Sequence, residues 1–519
     1  MYCSHQRARR SLVFRLVSVV LVLVVAWDPA VLRAAQQLPN LGDAASDDLS
    51  PLQERKLGEE IMREAREQGD VYDDPESTEY LNRFGEILIQ HAPPSPQSFE
   101  FFLVEDSDIN AFALPGGFIG VNTGLIMSTQ TEGELASVMG HEMGHVIQHH
   151  IARGAQEDKQ ASLIALATSI LGMIAMAKAR NPSGGEASLY MGQNYMIQSE
   201  LAFSRNAERE ADRVGFQILQ DSGFDPNSMT SFFSHLQKAT EAYDGGAPEW
   251  ARDHPLTSER IADIQNRIGD AHYRQRGDSV DFQLVRARLR ALQESTVQGL
   301  TDARTVFQDQ LHSGNYASEA AIRYGLSVVL MKQNDLAGAQ KELDRAKVLL
   351  KEPNAMLLAQ GIQIKIAKKD TAAAVTLAEA ARNEFPQSRA LVGYYAETLE
   401  TAGRYEDEIR FLRDQLTMYR SEPRLYQFLA KDYAAKGEAM QEHQALAESY
   451  YLRGSVSAAM EQLQFARRAS NGDFYELSQI DARLRQLQAE WLDIKKDKSD
   501  YGKTVLGGSF CFASGCATN

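Results

Sequence analysis

The second half of the chain is punctuated at a nearly fixed interval. Turn signals fall at Asn334-Asp335, Lys369-Asp370, Gly403-Arg404, Lys436-Gly437 and Asn471-Gly472, in steps of 33 to 35 residues. Pro353, Pro386 and Pro423 recur at a similar step. The residues between the turns read as helices, with small packing positions at Ala339, Leu343 and Ala346, and again at Ala378 and Ala381. Such a period holds two helices and their turns, and no single pair can bury its apolar face alone. This half must therefore stack as a solenoid of helix pairs with a concave surface. That surface is either a scaffold or oligomerisation face, or a groove for a client protein.

The first half carries chemistry. His141-Glu142-Met143-Gly144-His145 is followed by Glu208 after 63 residues. Histidines four apart on a helix share one face, one turn above each other, and can hold one Zn²⁺. Glu142 lies on the adjoining side, where it can take a proton from a water held at that site. Thr131 and Glu134 give a capping-box pattern before the motif, and Gly154 is the expected stop. Leu135, Val138, Met139, Val146 and Ile151 supply an apolar stripe, so the motif sits on a half-buried helix. Two ordinary core histidines are the competing reading, but a Glu buried between them is costly without a cation.

Ser204-Arg-Asn-Ala-Glu208-Arg-Glu-Ala-Asp212 opens a second helix, with Ala211, Val214, Ile218 and Leu219 on its buried stripe and Gly223 at its end. Glu208 and Asp212 share a face, whereas Glu210 lies about 200° round from Glu208 and should point elsewhere. One carboxylate can complete a metal site while another orients a ligand histidine. His149 and His150 follow on the first helix. His149 is drifted by about 80° from His141, which makes it a poor ligand. Both read as structural.

These motifs resemble the gluzincin branch of metallopeptidases that contains the CAAX prenyl endopeptidases and the heat-shock membrane protease. Asn110-Ala-Phe-Ala-Leu-Pro-Gly-Gly-Phe-Ile-Gly-Val-Asn-Thr-Gly124 looks like the edge-strand block upstream of that family's active site. The block Asp253-His254-Pro-Leu-Thr-Ser-Glu-Arg260 is similar to one in the periplasmic, tetratricopeptide-bearing members. The resemblance implies one zinc per chain on His141, His145 and Glu208, with Glu142 as general base. Asp212 aligns with a residue sometimes assigned as a proton donor, although its spacing favours an orienting role. His254 matches a histidine that can take the fourth zinc position and hold the enzyme off; without the matching block it reads as a loop histidine, and its rival role is transition-state stabilisation. The implied clients are stalled outer-membrane β-barrel proteins and their assembly machinery. A tetratricopeptide chaperone or adaptor with rare proteolysis is the alternative.

Composition fits export. Arg7, Arg9 and Arg10 precede an apolar run from Leu16 to Trp27, and Ala34-Ala35 offers a cleavage site. This is a secretory signal peptide over 1–35, too short in its apolar core for a stable span, and it implies a periplasmic protein. The formal charge is −16; residues 1–35 carry five Arg and one Asp, so the remainder is near −20. Such an acidic chain is a poor nucleic-acid binder. Cys511 and Cys516 are an even pair that could form a small disulfide in a Gly/Ser-rich tail.

Helical patterns are expected over 52–68 and 75–91, broken by Pro93, Pro94 and Pro96, and strands over 99–104 and 117–122. A small sheet beside the zinc helix would let a substrate add as an extended strand. Asn110, Phe118 and Val121 are its candidate substrate-binding residues, with core packing the alternative for the last two. Residues 162–177 lack charge but fall short of a membrane span, which predicts a buried or surface-associated helix with possible peripheral membrane contact. A Gly-rich loop over the cleft would follow. The expected class is mainly α: a zincin-type metallopeptidase domain with a small sheet over 36–285, a tetratricopeptide repeat solenoid over 286–495, and a flexible tail over 496–519.

Overall fold

The computed structural model describes residues 50–154, 204–242, 248–270, 276–293, 295–469 and 474–507. The expected signal peptide 1–35, the uncharged stretch 162–177 with the loop expected after it, and Cys511 and Cys516 lie outside the described residues.

Local signals set the early elements. Helix Pro51–Gln68 starts at a capping box between Ser50 and Gln53 and ends at Gly69, whose φ of 74° admits the left-handed turn. Helix Pro75–Ile89 is capped by Asp74. The sheet has three strands, β1 (Glu100–Val104), β2 (Ala111–Ala113) and β3 (Phe118–Asn122), in the order β1-β3-β2. β1 runs parallel to β3 and β2 antiparallel to it. β3 is thus the central strand. Phe118 and Val121 both lie in hydrophobic clusters, 1% and 0% exposed. The structure therefore corrects the substrate path assigned to them: they pack the core, because pairing on both sides of β3 leaves it no open edge. The edge strands are β1 and β2.

The motif helix spans Glu132–Ile147 and lies against β2. Thr131 accepts the Glu134 N–H at 3.2 Å, but the Glu134 carboxylate accepts from Gln130 N–H at 2.8 Å, so the expected box closes one residue early. The helix does not run on to Gly154. His149 has φ 50°, in the left-handed region, and a separate short helix occupies His150–Gly154.

Helix Arg205–Asp221 packs along the motif helix at glycine contacts. A Cβ on Gly215 would fall 2.7 Å from the His141 nitrogen, and one on Gly144 would fall 2.8 Å from the Ala211 carbonyl oxygen. The backbones approach this closely only because both positions lack a side chain. Helix Asn227–Ala242 also packs on the motif helix, Ser258–Asp270 packs on Asn227–Ala242 and Arg205–Asp221, and the short helix Glu249–Asp253 lies between Asn227–Ala242 and Ser258–Asp270 in the chain.

From Val297 the chain forms helix pairs: Val297–Ser313 with Glu319–Lys332, Leu336–Leu350 with Ala355–Ala367, Thr371–Glu384 with Arg389–Thr401, Tyr405–Met418 with Pro423–Lys436, and Ala439–Leu452 with Val456–Ala469. Four of the five expected turns are present: Asn334, Lys369, Gly403 and Gly437 all have positive φ, and Ala339, Leu343, Ala346, Ala378 and Ala381 are buried, whereas Asn471-Gly472 lies outside the described residues. Helix Val280–Leu292 runs through the expected boundary at 285/286 and packs on both Pro75–Ile89 and Glu319–Lys332. The last helix, Phe474–Gly507, continues past 495, since Gly502 alone weakens it before the Gly507-Gly508 pair.

Candidate metal centre

His141 and His145 project from the motif helix toward Glu208 in the first turn of Arg205–Asp221, and His254 closes the group from the end of Glu249–Asp253. Donor atoms of these four residues all lie within 4.8 Å of one another, and the residues are buried. His141 Nε2 is 3.0 Å from His145 Nε2 and 3.5 Å from a Glu208 oxygen. His145 Nε2 is 3.5 Å from the other Glu208 oxygen. His254 Nδ1 is 3.3 Å from His141 Nε2 and 3.0 Å from Glu208 Oε1. Donors held about 2.0–2.1 Å from one tetrahedral ion stand about 3.3 Å apart. The observed spacings bracket that edge length, and imidazole and carboxylate are donors that zinc accepts. The residues present fit a metal ion.

Glu142 is fully buried beside this cluster. Its Oε1 accepts the Trp250 indole N–H at 3.1 Å and lies 3.6 Å from His254 Nε2, while Oε2 has no hydrogen-bond partner among the described residues. Burial raises the Glu142 carboxyl above its usual range, against the pull of His254 and His141. A buried carboxylate with one oxygen unclaimed is suited to accept a proton.

Asp212 Oδ1 lies 3.0 Å from His141 Nδ1, an ion-pair distance without good hydrogen-bond alignment. Arg260 takes both Asp212 oxygens, at 2.7 and 2.8 Å, and also reaches Glu208 at 2.8 Å. Burial opposes ionisation of Asp212, but Arg260 and His141 outweigh it and hold its pKa below the usual range. His141, though desolvated, is raised to about 9 by Asp212 and Glu208, whereas burial drives His145 well down. Asp212 is thus committed to neighbours on both oxygens, one of them beside His141 Nδ1.

Sequence reasoning missed three groups here. Arg260 was legible only as part of a matching block. Trp250 stacks on His254, with ring centroids 4.9 Å apart at 27°, and contacts His141 edge-on. Glu210 points away from the donor cluster, as expected, but His150, read as structural, has its Nδ1 2.9 Å from His145 Nδ1 and its Nε2 3.0 Å from Glu210 Oε2. Asn110 is buried at the start of β2 and its carbonyl accepts from Asn122 N–H. His149 reaches Glu54 at 3.0 Å, away from the cluster.

Comparison with known proteins matches residues 75–268 to peptidase family M48, a stretch that holds every residue of the cluster. The chain is 31% identical to the beta-barrel assembly-enhancing protease of Escherichia coli K12 over 484 residues, covering 93% of this chain and 97% of that one. It is 30% identical to the protein of that name from Yersinia pestis, over 88% and 93% of the two chains. It is also 28% identical to the mitochondrial metalloendopeptidase OMA1 of Schizosaccharomyces pombe, over 38% of this chain and 54% of that one. The resemblance read from the motifs is thereby established, and the chain belongs to the M48 metallopeptidases as a metalloprotease of the beta-barrel assembly-enhancing family.

Proposed function

We propose that this metalloprotease is exported to the periplasm, uses one zinc per chain, and acts on outer-membrane β-barrel proteins and their assembly machinery. The observation that carries the reading is the buried cluster of His141, His145, Glu208 and His254 with Glu142 beside it. The client class follows the name shared by relatives that match nearly end to end. The acidic charge argues against a nucleic-acid partner. A peripheral membrane contact through 162–177 remains part of the proposal.

His141, His145 and Glu208 would hold the zinc, which when bound supplies Lewis acidity to the scissile carbonyl and to the attacking water. Glu142 accepts the water proton on its unclaimed oxygen and delivers it to the leaving amine nitrogen. Asp212, clamped by Arg260, keeps the His141 ring turned toward the metal. A client strand would add along the open edge of β2, next to the motif helix, with main-chain hydrogen bonds giving tolerance of sequence. Asn110 stands at the start of that edge, and Phe118 and Val121 support it from the core.

His254 favours a second state of the same enzyme. It takes a donor position that would otherwise be free for water, so the resting chain is repressed and its repeats can act as a chaperone while proteolysis waits. Glu142→Gln tests the whole reading. The full-length variant should keep its zinc, lose at least about 10²-fold in casein cleavage, and retain outer-membrane β-barrel proteins on purification from cell envelopes. Cleavage at the parent rate would refute the mechanism, and the absence of β-barrel proteins among retained species would refute the client class.

A further inference from the structure

The two ligand histidines on the motif helix need their outer nitrogens fixed, and they are served differently. His141 Nδ1 meets a carboxylate directly, Asp212, which Arg260 closes. His145 Nδ1 meets an imidazole, His150, which in turn meets the Glu210 carboxylate, which Arg153 closes at 2.7 Å. We propose that His150, Glu210 and Arg153 form a relay that orients His145 toward the metal, His150 acting as its positioning residue. The proposal rests on the zinc-site reading above.

The chemistry allows one arrangement of protons along this chain. A metal-binding imidazole uses its Nε2 lone pair, so His145 carries its hydrogen on Nδ1 and donates it. His150 must then accept at Nδ1, place its own hydrogen on Nε2, and donate to Glu210. The contacts of 2.9 and 3.0 Å fit both steps. The side chain of His150 is 1% exposed, so solvent does not compete for either nitrogen.

The backbone is built for this contact. Five residues along an uninterrupted helix, the His150 side chain would lie about 140° round from His145. The break at His149, a non-glycine residue with φ 50°, turns the chain so that the rings meet with centroids 4.9 Å apart. Left-handed backbone at such a residue is uncommon and costs energy, and it persists where the surroundings require it. The anchor also lies on the right element: Glu208, Glu210 and Asp212 alternate along one helix start. The first faces the metal site, the third reaches His141, and the second reaches His145 through His150. The relay thus ties the short helix after the motif helix to the helix that carries the third ligand.

The test is zinc affinity of the full-length protein, measured by competition with a chromophoric chelator, alongside the thermal melt of the zinc-free protein. His150→Phe keeps a ring and removes both nitrogens. It should weaken zinc binding by roughly 10–100-fold, the usual effect of losing such an outer partner, with the zinc-free melt unchanged. Glu210→Gln should weaken it less, and His150→Asn, which restores an acceptor toward His145, should recover most of the loss. Parent-like affinity in both His150→Phe and Glu210→Gln overturns the relay, as does an equal loss in His150→Asn. If His150→Phe does not fold, Glu210→Gln decides the matter alone. Failure of the zinc-site reading is distinct: the parent protein itself would bind no zinc, or His145→Ala would bind it as tightly.

Discussion

At the scale of single residues, the repressed resting state proposed above turns on His254. Its Nδ1 stands among the metal donors, its Nε2 lies near Glu142, and Trp250 from the same short segment holds the Glu142 carboxylate. One segment, 248–254, therefore contacts both the candidate metal donors and Glu142, and in the proposed reading moving it would free a metal position and the general base together. His254→Ala should raise the initial rate on an unfolded substrate by about tenfold or more, the gain expected if the open state is at most roughly a tenth populated at rest. Zinc content should stay near one per chain, since three ligands remain. A slower variant with full zinc would mean that His254 instead stabilises charge in the transition state. The His141, Glu142, His145 and Glu208 group was legible in the sequence because one helix turn fixes the histidine pair and a second helix start supplies the acid. Trp250, Arg260 and the role of His150 were not, because they reach the site from separate helices, two of them only five residues long, whose direction spacing cannot give.

At the scale of elements, the metal site exists because two helices touch backbone to backbone. Gly144 and Gly215 make that contact, and no periodicity rule singles them out, since a glycine inside a helix ordinarily reads as a weakness. Gly215→Ala would drive a methyl group to within 2.7 Å of the His141 nitrogen. The helices must then separate, at a cost of about 1–3 kcal/mol, and Glu208 must withdraw from the histidines. Denaturant unfolding and zinc analysis of the variant should both show loss. Gly269→Ala is the control, because a Cβ there meets nothing within 4 Å; it should be neutral or slightly stabilising. Unchanged zinc affinity in Gly215→Ala would show that the close contact is not what sets the site. The same scale explains the errors in the strand and helix readings. The core strand β3 looked like an accessible path because alternation marks a buried face without saying whether the strand has a free edge. The motif helix was carried on to Gly154 because nothing in a His-His pair announces a left-handed break.

Over the whole molecule, the repeats were legible because turns impose a period, while the junction was not, because a single bridging helix has none. The described residues from Ser50 onward belong to one compact unit, and helix Val280–Leu292 lies between its halves. Its Arg288 is buried and pairs with Asp74 at 2.7 Å and Glu76 at 3.0 Å, and donates to the Tyr324 hydroxyl at 3.2 Å. Tyr394 from a later repeat donates to Glu76 at 2.9 Å, and Ser388 to Glu79 at 2.9 Å. Phe282, Leu284, Val285 and Leu289 on the same helix are buried in a cluster that also takes in Tyr324 and Val328 of the first repeat. That helix therefore acts as the end cap a helix-pair stack requires. A fragment of residues 277–495 keeps the cap, and one of residues 296–495 exposes the apolar face beneath it. Losing the burial of even one or two such side chains removes about 3 kcal/mol, and a fragment of this size shifts by roughly 2–4 °C per kcal/mol. The shorter fragment should accordingly melt roughly 6–12 °C lower by circular dichroism, or fail to fold. Equal melting of the two would place Val280–Leu292 with the protease half alone and return the boundary to its far end.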